Sequence, residues 1–264
     1  MDLQTLLYEK RDGIALATLN RPERLNAITW RMMEEFLDVV EDARRDDGVR
    51  VLVFTGAGRA FSSGDDIVDG MGERTRGGDV GGVNTDRGLH HALVKALLEL
   101  PKPAVAAING RCHGAGWVLS LACDFRVGRS DALVGDIRSS RAIFAGQGAP
   151  LLLPRLIGQA RAMDLLMTGR VIDGVEAERI GYLARVWSPE DWEPELKAFL
   201  QELANGPTQT YAAWKLTVNR SVLNELDAYT DYERQLANLV RNTDDSAEGR
   251  RSFVEKRAPR YLGR

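Results

Sequence analysis

Residues 104–122 read AVAAINGRCHGAGWVLSLA. Five apolar residues, Ala104–Ile108, follow the prolines Pro101 and Pro103 and end at Asn109, which predicts a short buried strand bounded by breakers. Gly114, Ala115 and Gly116 come next, and a second apolar run predicts a helix. A strand feeding a glycine turn that opens a helix leaves backbone amides free at the positive end of the helix dipole. Such a turn suits an oxygen that becomes negative during a reaction. The first helical turn, however, carries Trp117, Val118 and Leu119, with no acid or base among them.

The same pattern recurs upstream. Residues 49–55, VRVLVFT, form a β-branched run that predicts a buried strand, and GAGRAFSSGDD follows at 56–66. Residues 29–45 place Trp30, Met33, Phe36, Leu37 and Val40 on one helical face, with Thr29 positioned as N-cap. Strands are expected at 14–19, 124–127 and 183–187, and a helix at 88–100. Residues 69–87 are rich in glycine and charge without periodicity, so a surface loop is expected there, bordering the site. This alternation predicts an α/β core with parallel strands. Both glycine turns would then lie at the same sheet end, where such proteins bind ligands. Residues 189–264 read as helical and charged. The expected division is a core over 1–195 and a helical region over 196–264.

The chain has 264 residues, enough for one large core, with 35 Lys+Arg against 38 Asp+Glu. No basic field points to nucleic acid. The N-terminus lacks the apolar segment of a signal peptide, and no run reaches the ~18 apolar residues of a membrane span. Cys112 and Cys123 can build neither a disulfide framework nor a zinc cluster and read as core residues. A cytoplasmic protein with no nucleic-acid, membrane or metal partner is expected.

GAGRAF at 56–61 is not a dinucleotide fingerprint, because Phe61 stands where the third glycine belongs. A P-loop fails because no Gly-Lys-Ser/Thr follows. The order NRPERLNA (20–27), AFSSGDDI (60–67), PAVAAING (103–110), GAG (114–116) and ACD (122–124), with EGRRSFVEKR (248–257) in the tail, instead resembles the crotonase (enoyl-CoA hydratase/isomerase) superfamily. That resemblance spans nearly the whole chain. It implies an α/β fold, a crotonase-like spiral of ββα units with a helical C-terminal trimerisation region, assembled as a homotrimer or dimer of trimers. It implies an acyl-CoA substrate, with coenzyme A as part of that substrate and no separate cofactor. The amides of Asp65 and Ala115 would form an oxyanion hole for the thioester. Coenzyme A contacts would fall on Arg24, Leu25, Ala27 and Ile67, with Phe253 and Lys256 reaching in from the tail. Trp117, Val118, Arg138 and Gln147 would border the acyl pocket.

The sequence departs from that family's hydratases where they carry their two glutamates. The first position is Val118, and the second falls on Arg138 within GDIR at 135–138. The later glycine-rich loop, FAGQG at 144–148, holds no acid either. Water addition needs a base for water and an acid for the α-carbon, and neither valine nor a permanently protonated arginine serves. Three substitutes are candidates. Asp136 would face the way residue 138 does if the segment is extended. Asp65 can point into the acyl pocket. His113 precedes the Gly-Ala-Gly turn. The plainer alternatives are a structural Asp136–Arg138 pair and a side chain of His113 that points away. Asp66 reads as structural, and His90 and His91 as packing or surface residues. The expected protein is an acyl-CoA enzyme of this family working through an enolate, lacking both hydratase glutamates. Isomerisation, decarboxylation and thioester hydrolysis stay open. The alternative is a non-catalytic acyl-CoA-binding protein of the same fold.

Overall fold

A computed structural model describes residues 1–66, 88–144 and 146–264. The loop expected at 69–87, and Ile67 with it, lie outside the described residues. The chain runs β1 (Leu6–Arg11), β2 (Ile14–Leu19), α1 (Trp30–Arg45), β3 (Val51–Gly56), β4 (Ala60–Ser62), α2 (Leu89–Glu99), β5 (Ala104–Ile108), β6 (Arg111–His113), α3 (Gly114–Ala122), β7 (Phe125–Arg129) and β8 (Leu133–Gly135). It continues through α4 (Ala149–Ile157), α5 (Gln159–Thr168), β9 (Ile172–Asp173), α6 (Gly174–Arg179), β10 (Arg185–Trp187), α7 (Trp192–Asn205), α8 (Thr208–Arg241) and α9 (Asp244–Val254).

The order of pairing shows a repeated ββα unit. In the units β3-β4-α2, β5-β6-α3 and β7-β8-α4 the first strand enters a six-stranded sheet, β1-β2-β3-β5-β7-β10, and the second enters a four-stranded sheet, β4-β6-β8-β9, whereas β1 and β2 both join the larger sheet. Strands β2, β3, β5, β7 and β10 are parallel, while β1 closes one edge antiparallel. From β3 to α4 the chain therefore winds as a spiral, each turn adding one strand to each sheet and one helix. The short strands β4, β6, β8 and β9 were not expected from sequence, because two or three residues show no alternation.

The continuous apolar reading of β3 has a direct cause. Leu52 and Phe54 pack with Phe36 and Val40 of α1, whereas Val51 and Val53 face Phe199 and Leu203 of α7. Both faces are covered, so no polar alternation is written into the strand. The division expected at 195/196 falls inside α7, whose apolar face completes this layer. The helical tail thus begins as a part of the core.

Helix α1 starts where expected, with Thr29 Oγ1 accepting the Met32 amide at 3.2 Å. It also carries Glu35, fully buried, which accepts the amides of Gln4, Thr5 and Leu6 at 2.8, 3.0 and 3.1 Å and is paired with Arg31 Nε at 2.8 Å. Burial pushes this carboxyl up, but these donors outweigh burial and hold it below the usual range. Glu35→Gln is expected to cost about 2–4 kcal/mol, read by urea unfolding at pH 7, since several donors lose their charged acceptor. Because the folded group ionises more readily than the unfolded one, its contribution is present above the ordinary carboxylate range. It disappears as pH falls through the folded value.

Helix α8 has 34 residues and lies along α2. Lys215 pairs with Asp124 at 2.7 Å, and His91 bridges Thr230 and Asp227 at 2.8 Å each. Val222 and Leu226 enter the main core. Helix α9 packs on the turn Ser139–Arg141. Among the described residues, no helix is long and apolar enough to cross a membrane.

Candidate active site

The two glycine turns meet through the second sheet. Strands β4 and β6 are parallel neighbours, with Ala60 opposite Arg111 and Ser62 opposite Cys112. Their C-terminal ends carry Gly64 and Gly114 to the same place. The sequence expectation had the turns leave the longer strands β3 and β5 directly. The chain instead passes through β4 and β6 first, which moves the meeting point to the smaller sheet.

The apposition is close enough to exclude side chains. A methyl group on Gly64 would lie 3.2 Å from the His113 carbonyl oxygen, and one on Gly114 would lie 3.1 Å from Gly64 Cα. Both glycines have positive φ, +101° and +52°, conformations that L side chains rarely adopt. Gly116 lets α3 approach β4, since a methyl there would meet Ser62 Cβ at 2.4 Å.

The amides of Asp65 and Ala115 adjoin these two glycines. The bridge between Ile28 and Asp65 uses the Gly64 carbonyl and the Asp66 amide, at 2.8 and 2.9 Å, so the Asp65 amide is not part of it and donates to its own carboxylate. Ala115 lies in the first turn of α3, where no intrahelical acceptor exists for its amide.

Charged groups crowd one side. Asp65 Oδ2 is 3.7 Å from the Arg138 guanidinium, and Asp65 Oδ1 is 3.5 Å from His90 Nε2. Burial pushes the Asp65 carboxyl up, but His90 and the Arg138 charge outweigh it and hold the group below the usual range. It is a carboxylate at neutral pH. His90 comes from α2, is buried, and packs edge-on against Trp30 with ring centroids 6.1 Å apart. It lines a small, otherwise apolar cavity with Ile28, Met33, Phe36, Ala115 and Val118.

Asp136 is fully buried, and both of its oxygens face Arg138: Nε at 2.9 and 3.2 Å, Nη2 at 2.8 Å. The extended segment expected over 135–138 is a correction. Strand β8 stops at Gly135, and Asp136 Oδ1 accepts the Arg138 amide at 3.1 Å, which turns the chain. Asp136 meets Arg138 through that turn, not along a strand face. Arg138 Nη1 also donates to Gln147 Oε1 at 3.1 Å.

His113 is buried, and its Nδ1 donates to the Gly135 carbonyl at 3.3 Å, since a carbonyl can only accept. Burial lowers its pKa, which keeps it neutral at pH 7. Trp117 lies in the core, stacked on Tyr182 at 6.2 Å, and is not among the residues that line this cavity. Val118 does line the cavity. Asp66 is paired with Arg21 at 2.7 Å and is structural.

Arg24, Leu25 and Ala27 form a turn against the first glycine segment, with the Leu25 carbonyl accepting the Ser63 amide at 2.9 Å and Arg24 O accepting Ser63 Oγ at 3.3 Å. Phe253 and Lys256 lie at the end of α9, where Arg141 covers the Phe253 ring at 4.1 Å. Among the described residues, no group of three or more His, Cys, Asp or Glu side chains is placed to hold a metal ion.

Sequence reasoning missed two residues. His90 shares the inward stripe of α2 with Leu93, Val94 and Leu97, a helical spacing that can be read from the sequence. Glu233 ends the buried stripe of α8 that includes Val222, Leu226 and Thr230. In both, a titratable residue occupies an apolar stripe.

An α/β spiral that brings the Gly64 and Gly114 turns into contact is the frame within which the family is found. The enoyl-CoA hydratase/isomerase family model matches residues 9–264. The chain belongs to that family. It is 32% identical over 262 residues, 99% of this chain and all of the relative, to the 1,2-epoxyphenylacetyl-CoA isomerase of Escherichia coli (strain K12). It is 31% identical over 264 residues, the whole of both chains, to the trans-2-decenoyl acyl-carrier-protein isomerase of Streptococcus mutans serotype c. Among solved structures, an enoyl-CoA hydratase from Mycobacterium avium subsp. paratuberculosis K-10 superposes with a TM-score of 0.86 at 28% identity, covering 98% of this chain and 99% of that one.

Proposed function

We propose that this protein isomerises an acyl-CoA thioester by 1,3-proton transfer, with an enolate held by the amides of Asp65 and Ala115 and the proton carried by Asp65, assisted by His90. The observation that carries this reading is one carboxylate, Asp65, standing at the Gly64–Gly114 apposition and 3.5 Å from His90, which lines an otherwise apolar cavity. Isomerisation needs one such group. The carboxylate takes a proton from one carbon, the negative charge passes to the thioester oxygen, and the same proton returns two carbons away. No atom is gained or lost. Hydration needs a second acid–base group for water. Here Val118 contributes only an apolar wall, and Asp136 is committed to Arg138. The Streptococcus mutans relative, named as a trans-2-decenoyl isomerase, supports the same reading.

Coenzyme A enters as part of the substrate, near Arg24, Leu25 and Ala27, and no separate cofactor takes part. Decarboxylation is less well supported, because Arg138 is already flanked by Asp136 and Asp65 and has little charge left for a substrate carboxylate. Exposed Trp214, Val218 and Leu239 on α8 support a self-associating assembly, the homotrimer or hexamer of the sequence reading.

The test is a panel of acyl-CoA thioesters assayed for double-bond shift, hydration, decarboxylation and free thiol release. Shift of an enoyl-CoA double bond with little hydration is expected. Tight coenzyme A thioester binding with no turnover in any channel would overturn the enzymatic reading. Ala115→Pro removes one donor at a helix position where proline is tolerated. It is expected to lower kcat about 10²–10³-fold with the fold kept, as checked by steady-state kinetics and thermal melting.

A further inference from the structure

We infer that Glu233, from the long helix α8, is a positioning residue for this site: its carboxylate clamps the turn at residues 146–148 and, through Gln147, fixes Arg138. Glu233 is 3% exposed, and its Oε2 accepts the Gly148 amide at 2.9 Å. The Gln147 amide also donates to it. The turn lies close on the carboxylate, since a methyl group on Gly146 would be 3.6 Å from Oε2.

The turn needs such a clamp. Gln147 and Gly148 are consecutive residues with φ of +71° and +87°, and Gln147 has a Cβ that disfavours this conformation. Held there, Gln147 accepts Arg138 Nη1 at 3.1 Å. Arg138 in turn binds Asp136 and faces Asp65 at 3.7 Å. A helix of the C-terminal region is thereby connected, contact by contact, to the carboxylate beside the paired amides.

The other oxygen of Glu233, Oε1, is buried without a hydrogen-bond partner among the described residues. Burial pushes the carboxyl up to about 7, against the pull of the Gly148 and Gln147 amides and the Arg138 charge. Three kinds of group face it: Arg138 across the turn, the two amides of the turn, and Tyr229 from its own helix, with Arg155 of α4 beside Tyr229. The clamp therefore changes charge near neutral pH. Deprotonation strengthens the two amide bonds and adds a third carboxylate near Arg138.

The catalytic part of this inference rests on the proposed isomerisation, so its test has two independent readouts on the full-length protein. Infrared difference spectra in D2O should show a protonated-carboxyl band that titrates with a midpoint near 7 and is absent in Glu233→Gln. This readout needs no substrate. In the turnover channel that the wild-type protein shows, Glu233→Ala should lower kcat about tenfold with little change in KM. Glu233→Gln, whose side-chain carbonyl can still accept the Gly148 amide, should recover most of that loss and remove an inflection near pH 7 from the rate profile. A band that persists in Glu233→Gln, or a Glu233→Ala rate equal to wild type, overturns the inference. If no channel turns over, the isomerase reading fails while the infrared titration and the melting temperature of Glu233→Gln still decide the clamp.

Discussion

Asp65→Asn should lower kcat about 10²–10⁴-fold for double-bond shift while leaving KM within about threefold, the range expected when a positioned general base is removed. The substitution keeps the backbone amide of residue 65, the bridge to Ile28 and the side-chain shape. It removes only the negative charge of the carboxylate whose Oδ1 lies 3.5 Å from His90 and whose Oδ2 lies 3.7 Å from Arg138. Loss of kcat without loss of binding therefore separates the carboxylate from the amide, which Ala115→Pro tests from the other side of the hole. The pH profile gives a second check. The folded Asp65 carboxyl sits below the usual range, so the acid limb it causes should lie below the ordinary aspartate range. Asp136→Asn and His113→Ala are the comparisons. An Asp65→Asn rate within threefold of wild type, with either of those collapsing, would transfer the proton to the other residue.

Much of this site was legible in the sequence because its backbone parts are written as glycine. Gly64 and Gly114 are required by a positive φ and a close approach, and both requirements leave a residue type behind. The side-chain parts were harder to read. His90 and Glu233 come from α2 and α8, more than a hundred residues apart, and neither lies near the glycine turns in the chain. Their signal was a polar residue inside an apolar helical stripe, which periodicity alone assigns to packing. The small sheet was illegible for another reason. Its strands have two or three residues, and what makes them strands is their pairing with one another, a non-local fact. Asp136 shows the limit of local geometry: the residue was rightly linked to Arg138, but a side-chain oxygen capping the Arg138 amide bent the segment that a two-residue repeat treats as straight.

Arg138→Met should be the most destabilising single change at the site, costing about 3–5 kcal/mol in urea unfolding. Asp136 is wholly buried and spends both oxygens on the guanidinium, so removing that cation strands a carboxylate with the Arg138 amide as its remaining neighbour. Burial by itself opposes the Arg138 charge, but Asp136, Asp65 and Glu233 outweigh it, so the guanidinium balances three acidic groups at once. The pair is not expected to be worth that much in itself. Replacing both partners, as Asp136→Asn with Arg138→Met, should recover a large part of the loss, because the penalty comes from the unpaired charge and not from the missing contact. A double-mutant cycle measures that coupling directly. Arg138→Lys keeps the charge but not the two-pronged geometry and should fall between wild type and Arg138→Met. A loss below about 1 kcal/mol for Arg138→Met would mean that Asp136 finds another donor or carries a proton in the folded protein. The second result would reopen Asp136 as an acid at the site and weaken the assignment of the proton to Asp65.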